Sequence, residues 1–103
     1  MTVGIDIENI NNFPNYKIEK QFFKDNYSSI EIEYALDQNQ SNIILLSMFC
    51  LKEAIVKADN SFKSKPFKNI IIHYNESNLP MHEGFELSAS FTKDLCVATA
   101  LRI

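Results

Sequence analysis

The stretch from Ser41 to Asp59 carries the longest helical pattern in the chain, and it constrains the fold more than any other segment. Apolar side chains recur through it at helical spacing and form one wide stripe, made of Ile44, Leu45, Met48, Phe49, Leu51, Ile55 and Val56. A helix that is apolar on most sides must be covered on most sides. The rest of the chain therefore has to supply elements that pack around this helix.

A first strand is predicted at Thr2–Glu8, where apolar residues alternate with glycine and carboxylates. Its odd-numbered apolar residues are expected to face the core, because successive side chains of a strand point to opposite faces. The other face then carries two carboxylates, Asp6 and Glu8. Like charges this close are unfavourable unless a cation or hydrogen-bond donors lie between them, although a solvated edge would also accommodate them.

The last third of the chain is predicted to be β-structure. Asn69–Tyr74 contains three consecutive isoleucines and suits a strand that is buried on both faces. Gly84–Ser90 and Leu95–Ile103 each alternate between apolar and small or polar residues. A short turn at Thr92–Asp94 joins these two segments, so they are predicted to form a hairpin.

Two shorter helices are predicted before the long one. Tyr16–Asp25 has apolar residues at helical spacing, and Ser29–Leu36 follows a capping box in which Ser28 precedes Glu31 by three residues. A strand, then helices, then antiparallel strands predict an α+β fold, with an antiparallel sheet packed against one long and two short helices. The chain has 103 residues, enough for one domain spanning 1–103.

Composition argues against several classes of function. The net charge is −3 and no dense basic cluster is present, which argues against general nucleic-acid binding. No apolar run is long enough to span a membrane. Cys50 and Cys96 lack CxxC spacing, and no signal-peptide pattern precedes the first strand. We therefore expect reduced, packed thiols in a cytoplasmic protein.

Three charged residues stand near the end of the long helix. Glu53 and Lys57 are four residues apart and fall on the same side of a helix, as an ordinary exposed ion pair would. Lys52 falls inside the wide apolar stripe. Its ammonium group either reaches solvent along its alkyl stem or points at an anion.

Two segments together resemble the paired signatures of the 4′-phosphopantetheinyl transferase superfamily. Val3–Glu8 is similar to G-[IV]-D-[IL], and Lys52–Ala58 is similar to K-E-[AS]-x-x-K. Between them, Glu31–Tyr34 resembles the family's E-[IL]-x-x-[YL] helix. After them, Phe67–Ile72 resembles its F-x-x-I-x-[IV] strand. The resemblance covers nearly the whole chain, whose length is similar to that of the single-module, holo-acyl-carrier-protein synthase type.

The resemblance implies a reaction and a site. The family moves the phosphopantetheine arm of coenzyme A, its co-substrate, onto a serine hydroxyl of an acyl or peptidyl carrier protein, with Mg²⁺ bridging the diphosphate. A hard divalent cation binds carboxylate oxygens together with phosphate and water. The resemblance assigns Asp6, Glu8 and Glu53 to the metal. It also makes Glu53, or a metal-bound water beside it, the candidate base for the incoming serine.

The same resemblance implies contacts to coenzyme A. Lys57 would neutralise phosphate charge as the bridging bond breaks, so it is a candidate catalytic residue together with Glu53. Lys52 and Ser90 would also bind the coenzyme. Family sites lie between two modules. This implies a homo-oligomer, either a trimer or a dimer, with the site at a subunit interface.

Two departures from the family pattern keep an alternative open. Phe91 stands where the single-module type has a histidine that contacts coenzyme A, and Asp59–Phe62 replaces a glycine-rich turn. The alternative is a catalytically silent relative that binds a carrier protein or a partner subunit. A third alternative is a lone half resembling the C-terminal module of the two-module type, in which the other module supplies the histidine.

Overall fold

The computed structural model describes all residues from Met1 to Ile103. Its strands and α-helices, numbered along the chain, are β1 (Thr2–Asn9), α1 (Lys20–Asn26), α2 (Ser29–Leu36), α3 (Ser41–Ala58), β2 (His73–Tyr74), β3 (Pro80–Met81), β4 (Phe85–Phe91) and β5 (Leu95–Arg102). Short 3₁₀ turns lie at Ile10–Asn12, Asn60–Ser64 and Phe67–Asn69. All three helices lie close to where the sequence predicts them.

One antiparallel sheet has the strand order β1-β5-β4, so β1 and β4 are its edges. The predicted hairpin is present as β4 and β5, with Ser88 opposite Thr99. Helix α3 packs on one face of this sheet. The larger core lies between them, where Leu51 and Ile55 of the helix meet Ala98 of the central strand. The predicted α+β fold, with one long and two short helices on an antiparallel sheet, is confirmed.

The prediction for the two faces of β1 is wrong. Val3, Ile5 and Ile7 are 60% to 66% exposed, whereas Gly4 and Asp6 are buried against α3. The physical reason is the space at Gly4: a Cβ atom there would lie only 2.0 Å from the carbonyl oxygen of Ala54. The strand can approach the helix this closely only with glycine at that position. Asp6 is therefore drawn onto the inner face.

The predicted strand at Asn69–Tyr74 is also wrong for most of its length. Only His73–Tyr74 is a strand, and it pairs with Pro80–Met81 in a separate two-stranded ribbon. Ile70 and Ile72 are fully buried, so the apolar run does enter the core. Its backbone has no strand partner there. Instead, the carboxylate of Glu31 accepts the N–H of Ile72 at 2.9 Å.

Helix α2 begins as the sequence predicts. The Ser28 hydroxyl accepts the N–H of Glu31, and the Glu31 carboxylate accepts the N–H of Ser28 at 2.9 Å, which completes the capping box. The three helices enclose a second core of Phe23, Tyr27, Ala35, Leu45 and Met48. No helix combines the length and the apolar character needed to cross a membrane.

Candidate active site

The last turns of α3 bring charged side chains to the free edge of β1. The Lys57 ammonium lies 3.1 Å from Oδ1 of Asp6, and it also donates to the carbonyl oxygen of Ile5 at 3.1 Å. Because α3 runs antiparallel to β1, Cys50 lies behind Asp6 and donates to its carbonyl oxygen at 3.2 Å. Helix α3 therefore contacts Asp6 at two points. Lys57 binds its side chain, and Cys50 binds its backbone carbonyl oxygen.

One oxygen of Asp6 has no partner within the chain. The residue is only 8% exposed, and its Oδ2 is a buried polar atom without a hydrogen bond. A buried carboxylate oxygen left without a partner costs roughly 1–3 kcal/mol or more. A cation or a ligand donor that reached this atom would supply the partner it lacks.

Negative charge is concentrated around Asp6. Burial, followed by the neighbouring Asp6 carboxylate, raises the pKa of Glu8 to about 7. Burial and then Asp6 also raise the pKa of Glu53, while Lys57 partly offsets this. The hydrogen bond to Asp6 raises the pKa of Lys57, so this ammonium group stays charged at neutral pH. Three carboxylates thus share one cation.

The residues at the edge of β1 fit a hard divalent cation, but they do not form a complete set of ligands for it. In this structure no three His, Cys, Asp or Glu side chains converge as a preformed metal site. The unpaired Oδ2 of Asp6 and the surplus of negative charge suit Mg²⁺, which takes one or two carboxylates and completes its shell with water and phosphate. The full ligand set of Asp6, Glu8 and Glu53 stays a prediction.

Lys52 does not lie where the sequence places it. It is 0% exposed, and its ammonium group is held by three acceptors: Glu31 Oε1 at 2.8 Å, the Asn26 carbonyl at 2.7 Å and the Phe67 carbonyl at 2.9 Å. Its three N–H donors are therefore already used inside the protein. The expectation that Lys52 binds coenzyme A is wrong for this structure, because the group faces the core and points away from the edge of β1.

Known proteins resemble this chain over almost all of its length. A family model described as the 4′-phosphopantetheinyl transferase superfamily matches residues 2–100. The chain belongs to this superfamily. The resemblance predicted from the two motifs is confirmed.

Individual proteins that resemble this chain are holo-[acyl-carrier-protein] synthases. A holo-[acyl-carrier-protein] synthase of Mycoplasma mobile is 33% identical over 100 residues, which cover 97% of this chain and 87% of that protein. The holo-[acyl-carrier-protein] synthase of Neisseria meningitidis has the same fold, with a TM-score of 0.80 at 19% identity, over 99% of this chain and 97% of that one. A synthase of Bacillus anthracis, solved with CoA (3′,5′-ADP), gives 0.79 at 23% identity, over 96% and 92%.

Two residues that the superfamily pattern singles out lie apart from Asp6. Ser90 pairs with Val97 on the sheet face opposite α3, whereas Asp6 is on the inner face. Phe91 is 45% exposed and lines a cleft of about 760 Å³ with Tyr16 and Lys93. Within one chain, neither residue reaches the edge of β1 beside Lys57. The predicted role of Ser90 in coenzyme binding therefore stays a prediction that needs another subunit.

The turn that replaces the superfamily's glycine-rich segment is closed by its own side chains. The Asp59 carboxylate accepts the N–H and O–H of Ser61, and it forms an ion pair with Arg102 at 3.0 Å. These contacts, led by the Ser61 hydroxyl, lower the pKa of Asp59.

Sequence reasoning missed two residues: Arg102, which pairs with Asp59, and Glu31, which pairs with Lys52. For Glu31 a signal existed, since a lone lysine in an apolar stripe calls for a buried carboxylate.

The raised pKa of Glu8 predicts a pH dependence of stability. Between the ordinary value of 4.5 and about 7, the folded protein binds more protons than the unfolded chain. Stability from this group is therefore full below pH 4.5 and is lost as the pH rises through 7. We expect Glu8→Gln to raise the free energy of unfolding at pH 8 by roughly 1 kcal/mol after solvent screening.

Urea unfolding in EDTA at pH 5 and pH 8 measures this effect. Glu8→Gln should flatten the fall in stability between the two pH values relative to the unmodified protein. Glu86→Gln, an exposed carboxylate on the outer face of β4, is the matched control and should leave the fall unchanged. If stability falls as much in Glu8→Gln as in the unmodified protein, Glu8 is not raised in pKa by burial and Asp6 as described above.

Proposed function

We propose that this chain transfers the 4′-phosphopantetheine arm of coenzyme A to a serine hydroxyl of an acyl or peptidyl carrier protein, as an Mg²⁺-dependent holo-[acyl-carrier-protein] synthase. The observation that carries the proposal is the arrangement of Asp6, Glu53 and Lys57 at the edge of β1, with one Asp6 oxygen unpaired. The name of the Mycoplasma mobile relative and the coenzyme in the Bacillus anthracis complex support the same reaction. The cytoplasmic location stays a prediction.

The reaction needs charge neutralised and a proton removed. Asp6, Glu8 and Glu53 are the residues that would hold Mg²⁺, which would supply positive charge against the diphosphate. The serine oxygen forms a bond to the phosphorus that carries the pantetheine arm, and the bond from that phosphorus to adenosine 3′,5′-bisphosphate breaks. Burial raises the pKa of Glu53, which makes it a better acceptor for the serine proton than an ordinary carboxylate.

Lys57 is suited to the leaving phosphate. Its side chain is half exposed, so it can exchange Asp6 for a phosphate oxygen without leaving the edge of β1. Its raised pKa keeps the ammonium charged throughout the neutral range. A charge placed where negative charge develops is the main contribution a protein makes to phosphoryl transfer.

We also propose that the chain works as a homo-oligomer, a trimer or dimer, with the site at a subunit boundary. The support is the outer face of the sheet, where Val3, Ile5 and Ile7 lie exposed beside the partly buried Val97 and Leu101 of β5. Monomers rarely leave such a continuous apolar patch uncovered. Ser90 lies on this same face, so a partner copy is the route by which such residues can join the edge of β1.

The activity is tested by incubating the protein with an apo-carrier protein, coenzyme A and Mg²⁺, and then weighing the carrier. We expect a mass gain of one phosphopantetheine group, lost in Glu53→Ala and strongly reduced in Lys57→Ala. Glu86→Ala is the control and should keep the activity. No gain at high protein concentration, with no thermal stabilisation by coenzyme A, would replace this proposal with the silent relative that Phe91 favours.

The oligomer gives a separate prediction. Ile5→Glu places a charge in the centre of the outer face, where a partner copy would bury it at a cost of several kcal/mol. We expect this variant to sediment as a folded monomer without transferase activity. Ile18→Glu, in an exposed position before α1, is the control and should keep both the assembly and the activity. An active monomer would rule out a site shared between subunits.

A further inference from the structure

Glu31 and Lys52 form an ion pair that is buried in the core and that the proposed reaction does not use. Both side chains are 0% exposed and lie 2.8 Å apart. The Lys52 ammonium also lies 4.7 Å from the centre of the Tyr27 ring. Burial lowers the pKa of Lys52, and the Glu31 charge acts against that shift. An ion pair so deeply buried adds little net stability over apolar side chains.

The pair joins segments that are far apart in the sequence. Lys52 on α3 holds the carbonyl of Asn26 at the end of α1 and the carbonyl of Phe67 at the start of the last 3₁₀ turn. Glu31 on α2 holds the N–H of Ile72 and the first turn of its own helix. Each of these bonds has one geometry, so together they fix where α3 sits against its neighbours on this flank.

The opposite flank of α3 is fixed by β1. Ala54 and Ala58 face Gly4 so closely that no side chain fits between helix and strand. Glu53 lies between Lys52 and Ala54 in sequence, so it is about 100° around the helix axis from each of them. The carboxylate that faces Asp6 is thus set by two contacts, one on either flank of the same helix.

We propose that the Glu31–Lys52 ion pair is a positioning device that sets the rotation of α3 and thereby holds Glu53 at its working distance from Asp6. A rotation of only 10° moves a side-chain tip, some 5–6 Å from the axis, by about 1 Å. A displacement of that size at a reacting group lowers a rate by about 100-fold. An apolar pair of the same size would fill the space but would not fix the rotation as sharply. This inference rests on the proposed function.

The double variant Glu31→Gln/Lys52→Met tests the proposal. The single amide oxygen of the glutamine can accept from Ile72 or from Ser28, but not from both. The methionine fills the space of the lysine without a charge that needs a partner. The control is Glu33→Gln/Lys68→Met, which removes the same two charges from exposed positions on the neighbouring segments. Thermal unfolding and circular dichroism establish that both double variants are folded before the kinetics are measured.

We expect the Glu31→Gln/Lys52→Met variant to show kcat lowered roughly 10- to 100-fold, with KM for coenzyme A changed by less than about threefold. Its affinity for Mn²⁺, used as the probe for Mg²⁺ and measured by electron paramagnetic resonance, should fall at least about tenfold. The control should match the unmodified protein in both. A folded variant with unchanged kcat and unchanged Mn²⁺ affinity overturns the proposal, since a merely stabilising pair would alter only the unfolding transition.

The two proposals fail in different ways. If the unmodified protein transfers no phosphopantetheine, the proposed function fails, and the Mn²⁺ affinities alone decide whether the pair positions Glu53. If the unmodified protein is active and the Glu31→Gln/Lys52→Met variant is equally active, the function stands and the positioning role is overturned.

Discussion

Gly4→Ala is expected to destabilise the protein by roughly 3 kcal/mol or more, and to abolish transferase activity. The added Cβ would lie 2.0 Å from the carbonyl oxygen of Ala54 and 2.6 Å from the backbone nitrogen of Ala58. Both atoms belong to the backbone of α3, so neither can move aside without moving the helix. The strand must therefore separate from the helix, and Asp6, two residues further on, moves with it.

Urea unfolding followed by circular dichroism measures this loss. The matched control is Ile18→Val, which removes one methylene at an exposed position before α1 and outside the proposed subunit interface. Its free energy of unfolding should stay within about 0.5 kcal/mol of the unmodified value. If Gly4→Ala stays within about 1 kcal/mol as well, the close approach of β1 to α3 is not what the structure describes.

Glu31→Ala is expected to cost about 3–5 kcal/mol, because it leaves the Lys52 ammonium buried without its carboxylate partner. It also removes the acceptor for the N–H of Ile72 and one half of the capping box at Ser28. A domain of this size has a total stability of about 5–15 kcal/mol. The variant is therefore expected to be largely unfolded at physiological temperature.

Thermal unfolding of three variants separates these contributions. Glu33→Ala, an exposed residue of the same helix, should behave as the unmodified protein does. Glu31→Gln should lie between Glu33→Ala and Glu31→Ala, since its amide keeps an acceptor for Ile72 but loses the charge that faces Lys52. Equal melting temperatures for Glu31→Ala and Glu33→Ala would show that the pair contributes nothing to the stability of the core.

The elements predicted correctly from the sequence are those whose signals are local. The wide apolar stripe of α3, the capping box of Ser28 and Glu31, and the alternation in β4 and β5 each depend on neighbouring residues only. The choice of which face of β1 packs on α3 does not depend on neighbouring residues only. Alternation defines two faces of a strand, but which face is covered depends on the space that Gly4 leaves for a helix 50 residues later.

The residues of the candidate site also differ in whether their roles depend on local or on distant parts of the sequence. The motifs placed Asp6, Glu53 and Lys57 in one site. In the structure Lys57 contacts Asp6 directly, and Glu53 is near enough for the Asp6 charge to raise its pKa. Lys52 was misassigned because its partner, Glu31, is distant in the sequence and both charges lie in apolar surroundings. Spacing alone does not tell a lysine that meets a ligand from one that meets a buried carboxylate. Ser90 depends on a subunit contact, which lies beyond any single chain.

The bond from Lys57 to the carbonyl of Ile5 has a consequence for the free edge of β1. An edge strand with exposed apolar neighbours is a template on which another strand can add, and a charged side chain lying across it blocks that addition. Lys57 therefore protects the free edge of β1 against the addition of a strand from another chain.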